Sequence, residues 1–600
     1  MQISRIQIRN FRNFADFDVP IGEHAVIVGA NRVGKSNLVH ALRLVLDPAL
    51  PDAMRYLRIE DFWDGIADKL SKDSFIEISL DITHFDDNAD LVALLGGHLV
   101  SGNPLIARLT YRFQPKPNIA QPTGEGDFEF VVYGGDRPDN VVSGEVRRRI
   151  PVVALEALRD AESDLERWRR SPLRPLLETA AGQIDDDELS HLVDEVNAAS
   201  KRLVDQPPLE GLATSIMSRL EELAAAEGDL ALRLGLAPLT AEKLVRSLRL
   251  FIDGGIRAVE DASLGSANLL YLALKTLELQ WQVSQNQLSF AILAIEEPEA
   301  HLHPQLQRLV YRDFLRRRTE PPPGENAASR FVLLTTHSPN VVSVAPIKSL
   351  VVLRQRGDTT VGFSAANIDI PDRDIENLER YLDVTRGDLV FAKLVVLVEG
   401  IAEEYLIPTF AALLGFDFDR LGVSVCAVGG IHFAPYVALL QALGIPYIVL
   451  TDGDPDPDGP SRGERRLARL LASKYQPALL KKALDDGTFR DLAEGNGLFM
   501  NTSTLETTLL SGSAKDALLE TLLDLVQTQK NKELIELWRS NPNEIQPEEF
   551  IKLVERIGKG RFVQRLCLQL SKDDCPAYIS RALNHLVKEL GGGSTLKAGS

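Results

Sequence analysis

One octapeptide constrains this chain more than any other stretch: Gly29-Ala30-Asn31-Arg32-Val33-Gly34-Lys35-Ser36. The strand-like run His24 to Val28 leads into it, and Leu38, Ala41, Leu42 and Val45 recur behind it with a helical period. Strand, glycine loop and helix form the setting in which backbone N–H groups wrap a phosphate. Asn31 and Gly34 then belong to the cradle, Lys35 reaches the β- and γ-phosphates, and the Ser36 hydroxyl ligates Mg²⁺. The expected cofactor is ATP with one magnesium ion.

A partner set lies far downstream. Leu288 to Ile295 reads as a buried strand ending in Glu296-Glu297, and Phe331 to Thr336 as another ending in His337-Ser338-Pro339. Glu296 stands where Mg²⁺ is held through water, and Glu297 where the attacking water is oriented. The order of these pieces resembles an ABC-type ATPase head, in which His337 would be the switch histidine at the γ-phosphate. Ser263-Leu264-Gly265-Ser266-Ala267-Asn268 occupies the place of the signature motif, with Ser263 and Gly265 at a helix start. The usual Gly-Gly-Gln core of that motif is absent. A signature role would sandwich ATP between two heads and so imply a homodimer.

The C-terminal half carries a different chemistry. Leu394 to Val398 is a short apolar strand delivering Glu399; Gly400 permits a sharp exit, and Glu403 lies one helical turn further. Gly444 to Leu450 is the next matching strand and delivers Asp452 and Asp454, expected on one side of an extended segment. Four carboxylates at adjacent strand ends would repel without a cation, so Mg²⁺ or Mn²⁺ is expected there, as one or two ions.

The net charge is −19, from 66 basic and 85 acidic residues. Affinity for nucleic acid comes largely from neutralised phosphates, so a DNA partner requires its basic residues gathered locally. Arg147-Arg148-Arg149, Arg167 to Arg174 and Arg462 to Arg469 are the available runs. No apolar run is long enough for a membrane span, and Met1-Gln2-Ile3-Ser4-Arg5 lacks a signal-peptide core. Cys426, Cys567 and Cys575 form no CxxC pair, which fits a reducing cytoplasm.

Glu399-Gly400 followed by Asp452-Gly453-Asp454 resembles the Toprim domain. With Asn10-Phe11-Arg12-Asn13-Phe14, the P-loop, Glu296-Glu297-Pro298-Glu299 and Thr336-His337-Ser338-Pro339 in that order, the whole chain resembles the OLD (overcoming lysogenization defect) nucleases, in length and layout their second class. The resemblance implies a metal-dependent DNA endonuclease in phage defence or DNA repair. It also implies two ions in the Toprim site, a homodimer and a UvrD-like helicase as a possible partner. Glu506 would complete the metal set, and Lys559 would stand near the scissile phosphate with Glu399 as catalytic residues.

The expected fold is multidomain α/β: a RecF/SMC-like ABC ATPase head with a helical dimerisation insertion, then a Rossmann-like Toprim domain. The expected boundaries are 1–155 for the first ATPase lobe, 156–249 for the insertion and 250–388 for the second lobe. Residues 389–590 are assigned to the Toprim domain with helical additions, and 591–600 to a tail. The segment 320–326 reads as a surface loop. Two rivals remain: a non-cutting RecF-like repair ATPase, which needs no carboxylate cluster, and a topoisomerase, which needs a nucleophilic tyrosine; Tyr405 and Tyr447 lie near the metal motifs, but nothing in their context marks them as nucleophiles.

Overall fold

The structure is a computed structural model. It describes the chain except for residues 157–160, 169–170, 224–236, 238, 253, 255, 260–261, 301, 316–329, 383–386, 431, 458 and 592–600. The proposed 320–326 loop, part of the Arg167 to Arg174 run and nearly all of the C-terminal tail lie outside the described residues.

Two six-stranded sheets and one four-stranded sheet organise the rest. The first is antiparallel, in the order Phe14–Pro20, Gln2–Phe11, Ile76–Thr83, Leu105–Pro115, Leu99–Gly102, with Phe128–Gly134 also paired to Leu105–Pro115. Its strands alternate as a one-faced sheet should: Ile6 and Ile8 are buried, while Arg5 and Arg9 carry ion pairs on the outer side. Strands Gln2–Phe11 and Phe14–Pro20 form a hairpin that turns between Phe11 and Phe14. Asn10 and Arg12 sit there at positive φ.

The second sheet runs Thr359–Ser364, Leu350–Arg356, Ala25–Gly29, Arg330–Thr336, Ala291–Glu296, Val152–Leu155. All its pairings are parallel except the Leu350–Arg356/Thr359–Ser364 edge. Every residue of Ala25–Gly29 is buried, as expected for a strand covered on both faces. Ala25 and Ile27 enter a core with helix Lys35–Leu46 and the antiparallel sheet. Val26 and Val28, pointing the other way, enter a second core.

Between the two lobes the described residues are helical: Ala161–Glu166, Leu173–Ala181, Asp186–Val204, Pro207–Leu223 and Ala241–Arg246.

The third sheet is fully parallel, in the order Val423–Ala427, Leu394–Val398, Tyr447–Thr451, Leu498–Met500. Leu394–Val398 and Tyr447–Thr451 are direct neighbours, as their matched apolar runs implied. Val395 and Leu397 join the same core as Val26 and Val28. Leu394, Val396 and Val398 face a third core built with the C-terminal helices through Leu406, Phe410, Phe562 and Ile579. No described helix is long and apolar enough to cross a membrane.

Candidate functional site

Parallel strands bring their carboxyl ends to one edge, and both groups of singled-out residues collect at such edges. In the larger sheet, Glu296 pairs with Thr335 and Thr336 with Val28. Glu296, His337 and the loop after Gly29 therefore emerge together. Lys35 opens helix Lys35–Leu46 and is buried; its Nζ donates to the carbonyls of Gly29 at 3.0 Å and Ala30 at 3.1 Å. Burial lowers its pKa, against the opposing pull of Glu297, Glu299 and Glu296. Gly34 has φ of 99°, and a Cβ there would lie 2.1 Å from the Asn13 side chain. Asn13 Nδ2 in turn donates to the Val33 carbonyl at 2.8 Å, so the hairpin tip props the loop.

The Ser36 hydroxyl donates to Glu296 at 2.5 Å. Burial raises the Glu296 pKa, and the Ser36 bond opposes that rise. Glu297 adopts a left-handed φ of 42°, costly for a residue with a side chain. His337 Nε2 lies 3.1 Å from its carboxylate, at ion-pair distance but without hydrogen-bonding alignment. Glu299 fixes the following turn by accepting from the Thr336 hydroxyl and the His337 N–H, each at 2.7 Å. Ser263 is exposed and caps helix Leu264–Ser284, where its hydroxyl oxygen accepts from Ser266 N. The described hydrogen bonds of Ser263 are thus local to the helix start.

The four-stranded sheet presents the acids. Glu399 follows Val398, and Glu403 lies in the first turn of helix Ile401–Leu413. Asp452 and Asp454 follow Thr451, Glu506 opens helix Leu505–Ser511, and Lys559 opens helix Lys559–Leu566. Glu399 Oε1 accepts from the Asp452 N–H at 2.9 Å, which ties the two strand ends together. Lys559 Nζ donates to Glu506 at 3.0 Å. Burial acts to lower the lysine's pKa, but Glu506, Glu555 and Glu403 outweigh it and leave the pKa raised.

Asp452 is pushed up to about 8, first by burial and then by Glu399, Glu403, Glu506 and Asp454. Glu403 is pushed up to about 7 by burial, with Glu506 and Glu399 adding to the rise. Four other acids thus bear electrostatically on Asp452. The donor set is carboxylate oxygen throughout, the chemistry of a hard divalent ion. In this respect the residues fit magnesium or manganese. Among the described residues, however, no three acidic, histidine or cysteine side chains stand together as a ready clasp.

One expectation needs correction. Asp452-Gly453-Asp454 is not a simple extended segment: Asp454 has φ of 47°, which breaks the alternation. Gly453 is required there, since a Cβ would lie 2.5 Å from the Asn501 carbonyl. Tyr447 starts its strand, at the end opposite the acids, and its hydroxyl accepts from Gln441 at 2.8 Å.

Comparison with known families meets this geometry at both ends. A model of the AAA ATPase domain matches residues 1–167 and 175–342. A model of the overcoming lysogenization defect protein-like TOPRIM domain matches residues 390–454, which contain Glu399, Glu403, Asp452 and Asp454. The chain belongs to the OLD family. Among its relatives, Endonuclease GajA of Bacillus cereus is 23% identical over 76% of this chain and 75% of its own length. OLD nuclease of Thermus scotoductus is 24% identical over 75% of this chain and 82% of its own. A solved C-terminal region of the Burkholderia pseudomallei OLD protein is 38% identical; it covers 33% of this chain and 99% of its own, with a TM-score of 0.30.

The structure adds residues to this OLD chain's acidic site that its sequence did not mark. Tyr578 is buried, and burial followed by Asp452, Glu403 and Glu399 drives its pKa far up. Arg466 reaches Glu399 at 2.5 Å and Asp454 at 3.2 Å, and it contacts the Thr451 hydroxyl. The sequence signal for Arg466 was weak. It sits beside buried Gly463 and Leu467 in a helix begun by a Ser461–Glu464 capping box, which turns one arginine of the run inward.

Proposed function

We propose that this chain is an ATP-binding, metal-dependent DNA endonuclease that nicks or cleaves duplex DNA. The observation that carries the reading is the acidic focus at the parallel-sheet edge, where half-buried Asp452 feels four other carboxylates and its pKa is pushed up. A clamp ATPase has no use for such repulsion, whereas a divalent cation relieves it. When bound, Mg²⁺ or Mn²⁺ would supply an activated water and steady the leaving 3′-oxygen.

The chain's own residues then have distinct tasks. Glu399, Glu403, Asp452, Asp454 and Glu506 hold two ions. Lys559, half-exposed beside Glu506, offsets the charge that grows on the scissile phosphate. In the head, Lys35, Asn31, Gly34 and Ser36 grip the nucleotide phosphates with Glu296 behind the magnesium. Glu297 and His337 position the attacking water and sense the γ-phosphate. Ser263 and Gly265 serve the nucleotide of a second copy. ATP regulates access to DNA; the cut is made in the Toprim domain.

The helical insertion supports a homodimer. Leu192, Val196 and Leu203 on one helix, and Leu212 and Ile216 on the next, are exposed apolar side chains on a segment otherwise rich in charge. Phage defence or DNA repair in the cytoplasm is the setting this reading assigns to the enzyme. A second-class OLD protein would work beside a UvrD-like helicase.

Supercoiled plasmid incubated with Mg²⁺ or Mn²⁺ tests the reading. Open circles and linear DNA are expected from the parent, and from Lys35→Ala, which should lose ATP turnover alone. Asp452→Ala should lose cleavage. Relaxed closed circles would favour a topoisomerase, and unchanged plasmid a repair ATPase.

A further inference from the structure

Arg466 has a side chain only 10% exposed, and its guanidinium bridges Glu399 and Asp454. Its position is built from below. Gly463 packs so closely on the loop that a Cβ would meet the Asp452 carbonyl at 2.5 Å. Leu467 is fully buried on the same helix. The helix cannot rise from the acids, so the arginine's fork is delivered between them. Lys559 occupies Glu506 in the same manner. Among the described residues, no ion pair reaches Asp452 or Glu403. The five acids therefore divide into three with a protein cation and two without.

An ion held by Glu399 and Asp454 must contend with the guanidinium, which already holds one oxygen of each carboxylate. An ion at Asp452 and Glu403 displaces no protein cation. Resting on the metal-dependent reading above, we propose that Arg466 is a resident counter-cation that splits metal loading into two unequal steps. The uncompensated pair takes the first ion. The Glu399/Asp454 pair takes the second only by exchange with Arg466, and metal-free protein depends on that arginine to keep its two strand ends together. Arg466 is thus a positioning residue. Its physical logic is that of a buried ion pair: breaking it from one side leaves an unpaired charge, unless another cation arrives.

Direct Mn²⁺ binding, read by the loss of the free-ion paramagnetic resonance signal in the absence of nucleotide and DNA, tests this on the full chain. Parent protein should show a tighter and a weaker class of site. Arg466→Met should tighten the weaker class about tenfold, the effect of removing one partly buried competing charge, and leave the tighter class within about twofold. Its melting temperature should fall in chelator and recover at saturating Mn²⁺. Arg466→Lys, which keeps the charge but loses the fork, should lie between parent and Met and guards against misfolding of the latter. A weaker class that is unchanged or weakened in Arg466→Met, or a melting loss that persists in saturating Mn²⁺, overturns the exchange while leaving the metal site standing. Equal Mn²⁺ binding by parent and Asp454→Asn overturns the metal site, and the exchange with it.

Discussion

At the scale of single residues, the acidic site is defined by what each carboxylate has as a partner. Partial burial first and like-charged neighbours second push Asp452 up to about 8 and Glu403 up to about 7. An acid whose folded pKa is raised binds its proton more tightly in the native state. Its contribution is therefore favourable at low pH and is lost as pH rises from the unfolded value through the folded one. Metal-free protein should lose stability from about pH 4 to about pH 8 on account of this pair. Thermal melts in chelator across that range should show the decline, and Asp452→Asn should flatten it. Mn²⁺ competes with the same protons, so its apparent affinity should climb between about pH 6 and about pH 8.5, by up to about tenfold per pH unit for each proton displaced. A melting curve insensitive to pH in both proteins would contradict the shared acidic volume. Partnership also explains what was legible. Glu399, Glu403, Asp452 and Asp454 stood out because they come after short apolar runs, whereas Glu506 rested on the family resemblance; Arg466 did not stand out, because a basic helical run ordinarily reads as a solvated face.

At the scale of elements, helix Arg462–Leu471 separates those two roles on one cylinder. Arg466 turns inward with Gly463 and Leu467, while Arg462, Arg465 and Arg469 are exposed. Spacings of three, four and seven residues place these three along one outer stripe beside the acids. Arg465 is held by Asp456 at 2.6 Å. Among the described residues no ion pair engages Arg462 or Arg469, so their charge is available to a phosphate backbone. On a chain of net charge −19, such a local track is what a DNA-binding edge requires. Arg462→Ala with Arg469→Ala should weaken duplex binding equally for unrelated sequences. The slope of log affinity against log salt should lessen by about two, one for each phosphate left without its arginine. Unchanged slope in fluorescence anisotropy titrations would remove this helix from the DNA path. The other basic runs fare differently: Arg149 is tied to the Asn286 carbonyl and Asp90, and Arg147 is half-buried with its pKa lowered by burial. Strand reading had its own physical limit. Val423–Ala427 and Leu498–Met500 are short and end in no acid, so nothing in their residues distinguished them from loop, whereas Leu394–Val398 and Tyr447–Thr451 were marked by what they deliver.

At the scale of the molecule, one continuous core joins the two chemistries. Val26 and Val28, directly before the P-loop, share it with Val395, Leu397 and Val449, which lie under the acids. Two contacts cross the junction at its tightest. Strand Leu350–Arg356 pairs with Ala25–Gly29, Leu353 opposite Gly29. From it the Arg354 guanidinium donates to the carbonyls of Ala392 and Lys393, the last residues before the strand that delivers Glu399. Gly387, just upstream, lies so near the turn after His337 that a Cβ would stand 2.9 Å from the Pro339 carbonyl. A close-packed interior moves between discrete arrangements rather than yielding gradually. A shift of the His337 turn on nucleotide binding would therefore reach the base of the Toprim sheet through Gly387. A shift of the P-loop strand would reach it through Arg354. Arg354→Met and Gly387→Ala leave every group proposed for nucleotide and metal in place. Each should retain ATP turnover and Mn²⁺-dependent nicking. The ratio of nicking rates with and without ATP should move toward one, by a factor of about 2–30, the span that interface substitutions exert on coupling. Paired rate measurements on supercoiled plasmid decide the matter. A ratio equal to that of the parent in both variants would mean that the nucleotide speaks to the cutting site by another route, with the second copy across the helical insertion as the next to test.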